Sequence, residues 1–183
     1  MIPVMIDVKE KQVTIVGGGK VAYRKLSVFF EQGAKITVIS PEVVDPIKEL
    51  HEEKKIVWIK RKVLADDLKN GFIVIAATNQ RSVNEQVKTH SEENQLVCVV
   101  DDGDCGNIQM VSYKQKGRLT IAVSTGGSSP FLAKKLTNQL FQPFDDSYIE
   151  KLDLISTKRN EIKASGLSDE EKRKLLKELS ERV

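Results

Sequence analysis

Residues 13 to 22 read Val-Thr-Ile-Val-Gly-Gly-Gly-Lys-Val-Ala, a short apolar run that leads into a glycine turn. Gly17, Gly19 and Ala22 occupy the three fixed positions of the pattern G-x-G-x-x-G/A. The first glycine permits a tight turn, the second lets a ligand approach the backbone, and the small third residue lets the following helix pack closely on the strand. A helix that starts at such a turn presents unpaired N–H groups to an anion. The stretch therefore predicts a site for the pyrophosphate of a dinucleotide.

The segments on either side of the turn support this prediction, because a glycine pattern alone is weak evidence. Gln12 to Val16 is rich in β-branched residues and predicts a strand, and Val21 to Gln32 has the apolar spacing of a helix. Gly33 stands where a C-terminal helix cap belongs, and Lys35 to Ile39 predicts a second strand. Strand, turn, helix and strand form one βαβ unit. The alternative is a glycine-rich turn without a ligand.

The ribose end of the predicted site is irregular. The pattern normally has an acidic residue at the end of the second strand, where it binds the adenosine ribose. Ser40 and Pro41 stand there instead and Glu42 follows, which leaves Glu42, Ser40 or backbone groups as the ribose contacts. No arginine follows directly to receive a 2′-phosphate, which favours NAD over NADP as the cofactor. The predicted cofactor-binding residues are Gly17, Gly18, Gly19, Lys20, Val21, Ser40, Pro41, Glu42 and Thr78.

Further apolar runs predict that the βαβ unit extends into a larger parallel sheet. Such runs recur at Ile56 to Lys60, Phe72 to Ala76 and Leu96 to Val100, and Arg81 to His90 has helical spacing. The run from Phe72 is almost continuously apolar, as expected of a strand that is buried on both faces. Because ligands bind beyond the carboxyl ends of parallel strands, we expect the residues that follow these strands to meet in one crevice. They are Gly17 to Gly19, Ser40 to Glu42, Thr78 to Gln80 and Asp101.

The sequence changes character after Val100. A polar turn is followed by Ile108 to Tyr113 and Leu119 to Ser124, which predict two strands joined around Gly117. A hairpin does not continue a parallel sheet without a crossover helix, so it begins a second structural unit. A two-stranded unit is marginally stable alone, which favours packing against another subunit.

The segment Thr125-Gly-Gly-Ser-Ser-Pro130 is a second motif. Ser128 or Ser129 is predicted to cap a helix over Phe131 to Phe141, with the proline in its first turn. The glycines and hydroxyls leave donors facing outward, so we expect either an ordinary capped helix start or a dock for a carboxylate or phosphate. Beyond this helix the chain predicts charged helices, one of them starting at the capping box Ser168-Asp-Glu-Glu171.

Composition limits the class of protein. The 183 residues are 40% hydrophobic and 30% charged, which suffices for one ordinary core and a small second module. The net charge of +3 is small and its charges are interleaved, so we expect no nucleic-acid partner. No apolar run has the length of a membrane span and no signal peptide is recognised, so we expect a soluble, cytoplasmic protein without a membrane partner. Cys98 and Cys105 lack metal-ligand spacing, and we expect free thiols and no metal site.

Ordered motifs along essentially the whole chain resemble the precorrin-2 dehydrogenase family, which includes the NAD-dependent domain of siroheme synthases. They are Pro3-Val-Met-Ile6, Val16-Gly-Gly-Gly-Lys-Val-Ala22, Arg24-Lys25, Ala76-Ala-Thr78, Val83-Asn84, Cys98-Val-Val-Asp101, Met110, Ala122-Val-Ser-Thr-Gly-Gly-Ser-Ser-Pro130 and Leu132-Ala133. The resemblance implies oxidation of precorrin-2 to sirohydrochlorin, with NAD⁺ as the hydride acceptor, by a homodimer.

The expected fold class is α/β, with an N-terminal Rossmann-type parallel sheet followed by a small α+β dimerisation unit and a helical C-terminal tail. We expect residues 1–110 to form the NAD-binding Rossmann domain. Residues 111–144 are expected to form the dimerisation unit, and residues 145–183 the helical C-terminal domain.

The resemblance also implies roles for site residues. Asp101 matches the aspartate that the family has at its active site and is the predicted catalytic residue; the alternative is an acid that only caps the turn into Gly103. Precorrin-2 carries many carboxylates, which call for cations and anion-binding backbone groups in its pocket. The predicted substrate-binding residues are Ser124, Thr125, Gly126, Gly127 and Ser128.

Two alternatives to a simple dehydrogenase remain. Some family members also insert iron into sirohydrochlorin, so a bifunctional dehydrogenase and ferrochelatase is the second hypothesis. The third belongs to a different class, a regulatory module that senses NAD(H) and signals through its C-terminal helices. In bifunctional relatives a serine that is phosphorylated stands at the position of Thr125, and Ser124 directly precedes it.

Overall fold

The predicted βαβ unit is the centre of a five-stranded parallel sheet in the computed structural model, which describes residues 1–100 and 105–180. The chain divides into two compact units, Met1–Met110 and Val111–Val183. The strands of the first unit are β1 (Gln12–Val16), β2 (Lys35–Ile39), β3 (Val57–Ile59), β4 (Ile73–Ala76) and β5 (Leu96–Val99), in the spatial order β3-β2-β1-β4-β5. Its helices are α1 (Lys20–Glu31), α2 (Asp45–Glu52) and α3 (Arg81–His90), with a short 3₁₀ helix at Ala65–Leu68.

Both faces of this sheet are covered, as the alternation of strand and helix requires. On one face Ile15 of β1 joins a cluster with Leu26 of α1, and both are fully buried. On the other face Val74 of β4 joins a second cluster with Val87 of α3. Because the central strands are buried on both sides, the carboxyl edge of the sheet is the part of this unit that remains open to a ligand.

The second unit is a hairpin with helices. Its described elements are β6 (Ser112–Lys116), β7 (Leu119–Val123), α4 (Pro130–Phe141), α5 (Asp146–Ala164) and α6 (Asp169–Ser180). The strands are antiparallel, and Gly117 has a φ of 54° in the two-residue loop between them, as a type II′ turn requires. Helix α4 packs on the hairpin, where the buried hydroxyl of Thr137 contacts that of Ser112 at 3.0 Å. Within the described part of the chain, no helix has the length and apolarity of a membrane span.

The first strand of the hairpin begins later than the sequence predicts. A strand was expected over Ile108 to Tyr113, but β6 starts at Ser112. Ile108 and Met110 are instead half-buried against the core of the first unit, and the Ile108 N–H donates to the Val97 carbonyl at 3.2 Å. The expectation was wrong because an apolar run of this length fits a strand and an irregular segment that covers an edge strand equally well.

Both cysteines are free thiols, as the sequence predicts. Cys98 lies on β5 with 5% of its surface exposed, and burial raises the pKa of its thiol. A buried thiol with a raised pKa is a poor nucleophile, so Cys98 acts as a core residue.

Candidate functional site

A cavity of about 780 Å³ lies at the carboxyl edge of the parallel sheet, within the first unit. Its volume is within the range of small-molecule sites. All the predicted cofactor-binding residues line it: Gly17, Gly18, Gly19, Lys20, Val21, Ser40, Pro41, Glu42 and Thr78. The structure thus brings together residues that follow three different strands. Their contacts with a cofactor remain a prediction.

The three glycines of the turn have different surroundings. Gly17 has a φ of 122°, and a Cβ there would strike the carbonyl oxygen of Ala77. A Cβ on Gly18 would strike the carbonyl oxygen of Glu42. At Gly19, by contrast, no described atom lies within 4 Å of the place that a Cβ would take. The turn is therefore packed beneath Gly17 and Gly18 and open at Gly19, where a ligand can approach the backbone.

The N-terminus of α1 is suited to an anion. Gly19 is its N-cap residue, and no side chain among the described residues caps it. Helices α2 and α3 also lack a side-chain cap, whereas Ser129 and Asp145 accept hydrogen bonds from first-turn N–H groups of α4 and α5. The first-turn N–H groups of α1 therefore remain for a ligand, and the helix dipole favours a negative one. This uncapped end and the open space at Gly19 fit the pyrophosphate of a dinucleotide.

Ser40 and Glu42, the two side chains predicted as ribose contacts, have different surroundings in the cavity wall. Ser40 is 8% exposed, and its hydroxyl donates to the Glu42 carbonyl oxygen at 2.7 Å. Its own carbonyl accepts the indole N–H of Trp58 at 2.9 Å. Ser40 is thus a structural residue of the loop after β2. The exposed carboxylate of Glu42 remains as the side chain that can accept hydrogen bonds from ribose hydroxyls.

Asn84 is a positioning residue that the sequence prediction missed. It is 1% exposed on α3, and its Oδ1 accepts hydrogen bonds from the N–H and the hydroxyl of Thr78 at 3.2 and 2.7 Å. Its Nδ2 donates to the Thr78 carbonyl at 3.1 Å. These bonds hold the backbone after β4 at the wall of the cavity. Its signal in the sequence was a polar residue on the apolar face of a predicted helix, where a buried amide needs hydrogen-bond partners.

Several further lining residues were not predicted either. They come from the loop after β2, from the loop after β3, and from the first turns of α3: Val43, Val44, Lys62, Val63, Val83 and Gln86. Asn79 and Gln80, which follow β4 and were expected at this crevice, also line the cavity. A residue several positions beyond a strand carries no motif of its own. The order of the strands would have predicted Lys62 and Val63. Because β3 lies directly beside β2, the residues that follow the two strands end up close together.

The predicted catalytic residue, Asp101, lies outside the described residues. Val100 precedes it in the chain, lines the cavity, and donates its N–H to the Ala76 carbonyl at 3.0 Å. The role of Asp101 therefore stays a prediction. Asp102 and Asp104 also lie outside the described residues, and the described part of the chain holds no metal-binding cluster of acidic, histidine or cysteine side chains.

The predicted substrate-binding loop belongs to the second unit. Ser129 caps α4, and the Thr125 hydroxyl accepts the Ser129 N–H at 3.1 Å. The N–H groups of Gly126 and Ser128 donate to the Ser124 hydroxyl and to the Thr125 carbonyl. These donors were expected to face outward, but the loop uses them itself because its tight turns bring acceptors within reach. The space beside the Cα atoms of Gly126 and Gly127 is open, because no described atom lies within 4 Å of the place that a Cβ would take.

The parallel sheet and its open glycine turn define a Rossmann-type dinucleotide-binding protein. The family model described as "Putative NAD(P)-binding" matches residues 4–112. The model described as "Sirohaem biosynthesis protein central" matches residues 116–140. The two matches follow each other in the chain, and the first ends two residues beyond the boundary between the units.

Similarity to individual proteins covers nearly the whole chain. The chain is 36% identical to precorrin-2 dehydrogenase of Priestia megaterium, over 98% of this chain and 89% of that protein. It is also 36% identical to precorrin-2 dehydrogenase of Bacillus subtilis (strain 168), over 83% of this chain and 94% of that protein. The solved structure described as "SirC, precorrin-2 dehydrogenase" has a TM-score of 0.82 and 36% identity, over 98% of this chain and 89% of that one. The chain therefore belongs to the precorrin-2 dehydrogenase family, a family of NAD-dependent oxidoreductases, which confirms the resemblance.

A longer relative shows a different coverage. Siroheme synthase of Vesicomyosocius okutanii is 29% identical over 97% of this chain but only 38% of that protein. The two precorrin-2 dehydrogenases named above, by contrast, match over 89% and 94% of their own length. The dehydrogenase hypothesis thus fits better than the bifunctional alternative.

Proposed function

We propose that this chain oxidises precorrin-2 to sirohydrochlorin and uses NAD⁺ as the hydride acceptor. The observation that carries the proposal is the uncapped N-terminus of α1 beside Gly19, on a chain that belongs to the precorrin-2 dehydrogenase family. The oxidation breaks one C–H bond, whose electron pair leaves with the hydrogen as hydride. A proton leaves the ring system at the same time, so a base or a water molecule must accept it.

Different residues of the first unit bind different parts of the cofactor. NAD⁺, when bound, supplies the acceptor of the hydride. The first-turn N–H groups of α1 and the ammonium group of Lys20 stabilise the pyrophosphate charge. Glu42 accepts hydrogen bonds from ribose hydroxyls, and Thr78, which Asn84 holds in place, forms a wall of the cavity. This arrangement fixes the dinucleotide along the carboxyl edge of the sheet.

Asp101 is our proposed proton acceptor. Its place in the sequence, directly after Val100 of the cavity wall, and its match to the aspartate of the family support this role. We expect Asp101→Asn to lower kcat by roughly 10²–10⁴-fold, the usual contribution of a general base. The affinity for NADH, measured by calorimetry, should stay within about twofold, because Asp101 is not proposed to contact the dinucleotide. Loss of even one binding contact would lower the affinity by more than this. Asp102→Asn is the matched control, and equal losses in both variants would contradict the assignment.

The second unit is our proposed substrate and dimer module. Ser124, Thr125, Gly126, Gly127 and Ser128 would contact carboxylates of the tetrapyrrole, and the open space beside the two glycines supports this. Residues 111–144 would form the dimerisation unit, and residues 145–183 a helical C-terminal domain. The exposed apolar side chains of α4, Phe131 and Leu140 among them, support a homodimer. We also propose a cytoplasmic location, where NAD⁺ is available.

An absorbance assay tests the dehydrogenase directly. Purified protein, NAD⁺ and enzymatically made precorrin-2 should produce NADH together with the spectrum of sirohydrochlorin, and omission of the tetrapyrrole should abolish both. Binding of NADH without any tetrapyrrole-dependent turnover would support the regulatory module instead. Fe²⁺ or Co²⁺ added to purified sirohydrochlorin tests chelatase activity, and a rate equal to the uncatalysed insertion would reject the bifunctional alternative.

A further inference from the structure

We infer that the side-chain amide of Asn79 binds the hydroxyls of the ribose that carries the nicotinamide. The inference rests on the dinucleotide site of the proposed function, but not on its tetrapyrrole substrate. It adds a cofactor-binding residue that follows β4, whereas Glu42 follows β2 on the other side of β1.

The strand order determines which half of the dinucleotide lies near Asn79. Strand β1 lies between β2 and β4, and Val16 at its end is the register partner of both Ile39 and Ala76. The pyrophosphate is expected at the end of β1, and the adenosine ribose at the end of β2. The other half of an extended dinucleotide therefore lies toward β4, and its first group is the ribose next to the pyrophosphate.

The glycine turn is packed against the loops on both of its sides. A Cβ on Gly18 would strike the carbonyl oxygen of Glu42, in the loop after β2. A Cβ on Gly17 would strike that of Ala77, directly after β4. The Ala77 N–H also donates to the Val16 carbonyl at 2.8 Å. The segment after β4 therefore borders the turn at which the pyrophosphate is expected, on the side of the second ribose.

Thr78 and Asn79 differ in the polar groups that they leave for a ligand. The N–H and the carbonyl of Thr78 bond to the Asn84 side chain, and its hydroxyl donates to Asn84 at 2.7 Å. The same hydroxyl accepts the N–H of Gln80 at 3.1 Å. Asn79, by contrast, is exposed and lines the cavity, and its carboxamide has no hydrogen-bond partner among residues 1–100 and 105–180.

The chemistry of this carboxamide fits a ribose. Each of the two neighbouring ribose hydroxyls can donate and accept a hydrogen bond, and an asparagine side chain offers an acceptor oxygen beside a donor NH₂ group. The side chain is neutral, so it does not repel the pyrophosphate as a carboxylate would. Because Asn84 fixes the residue before Asn79, the loop is ordered before the ligand binds, which lowers the entropy cost of binding.

Calorimetric titration of the full chain with NADH, ADP-ribose and ADP tests the inference. The three ligands share the adenosine diphosphate, but ADP-ribose lacks the nicotinamide, and ADP lacks the second ribose as well. Asn79→Ala should lower the affinities for NADH and for ADP-ribose by about tenfold, the effect of one or two lost hydrogen bonds. The affinity for ADP should stay within about twofold, because no contact with ADP is lost.

Asn94→Ala is the matched control. Asn94 is also an exposed asparagine, but it precedes β5, at the amino edge of the sheet, and is not among the residues that line the cavity. This variant should bind all three ligands as the wild type does. Urea unfolding should give the same stability for both variants and the wild type, since both side chains are exposed.

The inference is overturned if Asn79→Ala binds ADP-ribose as the wild type does, because a loss for NADH alone would assign Asn79 to the nicotinamide ring. An equal loss for ADP, or the same loss in Asn94→Ala, would also overturn it. A wild-type chain that does not bind NADH would overturn both the inference and the cofactor of the proposed function. Absence of tetrapyrrole turnover would contradict the proposed function alone, because the titrations contain no tetrapyrrole.

Discussion

At the residue scale, Gly18 and Gly19 are neighbours with opposite structural demands. A Cβ on Gly18 would lie 2.8 Å from Cγ1 of Val43 and 2.9 Å from Oγ of Ser40, besides striking the Glu42 carbonyl oxygen. The carbonyl of Gly18 also accepts the N–H of Val44 at 2.8 Å, so the turn and the loop after β2 are joined. At Gly19, by contrast, the place that a Cβ would take is open. Gly18 is therefore required by the fold, whereas we expect Gly19 to be required by the ligand.

This contrast predicts two different defects. Gly18→Ala should lower the free energy of unfolding by about 1–3 kcal/mol, as overpacking does. Gly19→Ala should cost about 1 kcal/mol or less, the difference between glycine and alanine at an N-cap. It should nevertheless weaken NADH binding by about tenfold or more, since the methyl group occupies the approach to the pyrophosphate. Urea unfolding and calorimetry measure the two effects. Unaltered NADH binding in Gly19→Ala would contradict the proposed position of the pyrophosphate.

At the element scale, the loop between β3 and the 3₁₀ helix depends on one ion pair. The hydrogen bonds from Arg61 hold the pKa of the Asp67 carboxyl below its usual range. A carboxyl whose pKa is lower in the folded state stabilises the fold above its unfolded pKa, about 3.9. This contribution is lost as the pH falls through the lower folded value. The same pair holds the backbone that presents Lys62 to the cavity.

We therefore expect the stability of Asp67→Asn to differ from wild type in a pH-dependent way. The variant should be less stable than wild type at about pH 7. The difference should shrink as the pH falls below about 4, where Asp67 of the unfolded wild-type chain becomes protonated. Urea unfolding across this pH range measures it. Asp66→Asn is the control, because the Asp66 carboxylate is exposed and pairs with Lys69 at the surface. Parallel pH profiles for wild type and Asp67→Asn would show that the pair does not stabilise the loop.

At the scale of the whole molecule, the second unit has an apolar surface that a dimer would cover. Phe131 at the start of α4 is 82% exposed, and a two-stranded sheet is marginal without further packing. We expect light scattering to give twice the 20.5 kDa of one chain for the wild-type protein. Phe131→Glu should shift this mass toward the monomer, because a buried unpaired charge is costly.

A control on another helix tests where the interface lies. Leu154 of α5 is 55% exposed but belongs to the proposed C-terminal domain. Leu154→Glu should therefore leave the dimer intact. A monomeric wild-type protein would reject the dimer, and loss of the dimer in Leu154→Glu alone would move the interface out of residues 111–144.

Most of the first unit was predictable, because its signals are local. The bounds of β1, β2 and α3 agree with the sequence prediction, since apolar period and glycine spacing act within one element. The start of β6 was not predictable in the same way. The side chains of Ile108 and Met110 suit a strand, and only the presence of the first unit's core beside them determines that they pack there.

The sequence by itself determined the βαβ unit, the glycine turn and hence the class of cofactor, because these depend on residues close together in the chain. Only the tertiary structure decided that the Ser40 hydroxyl bonds within its own loop, that Asn84 holds Thr78, and that Lys62 lines the cavity. Each of these depends on which segments meet in space. The order of the strands sets those meetings, and the register of β2 with β3 brings the loops after them together.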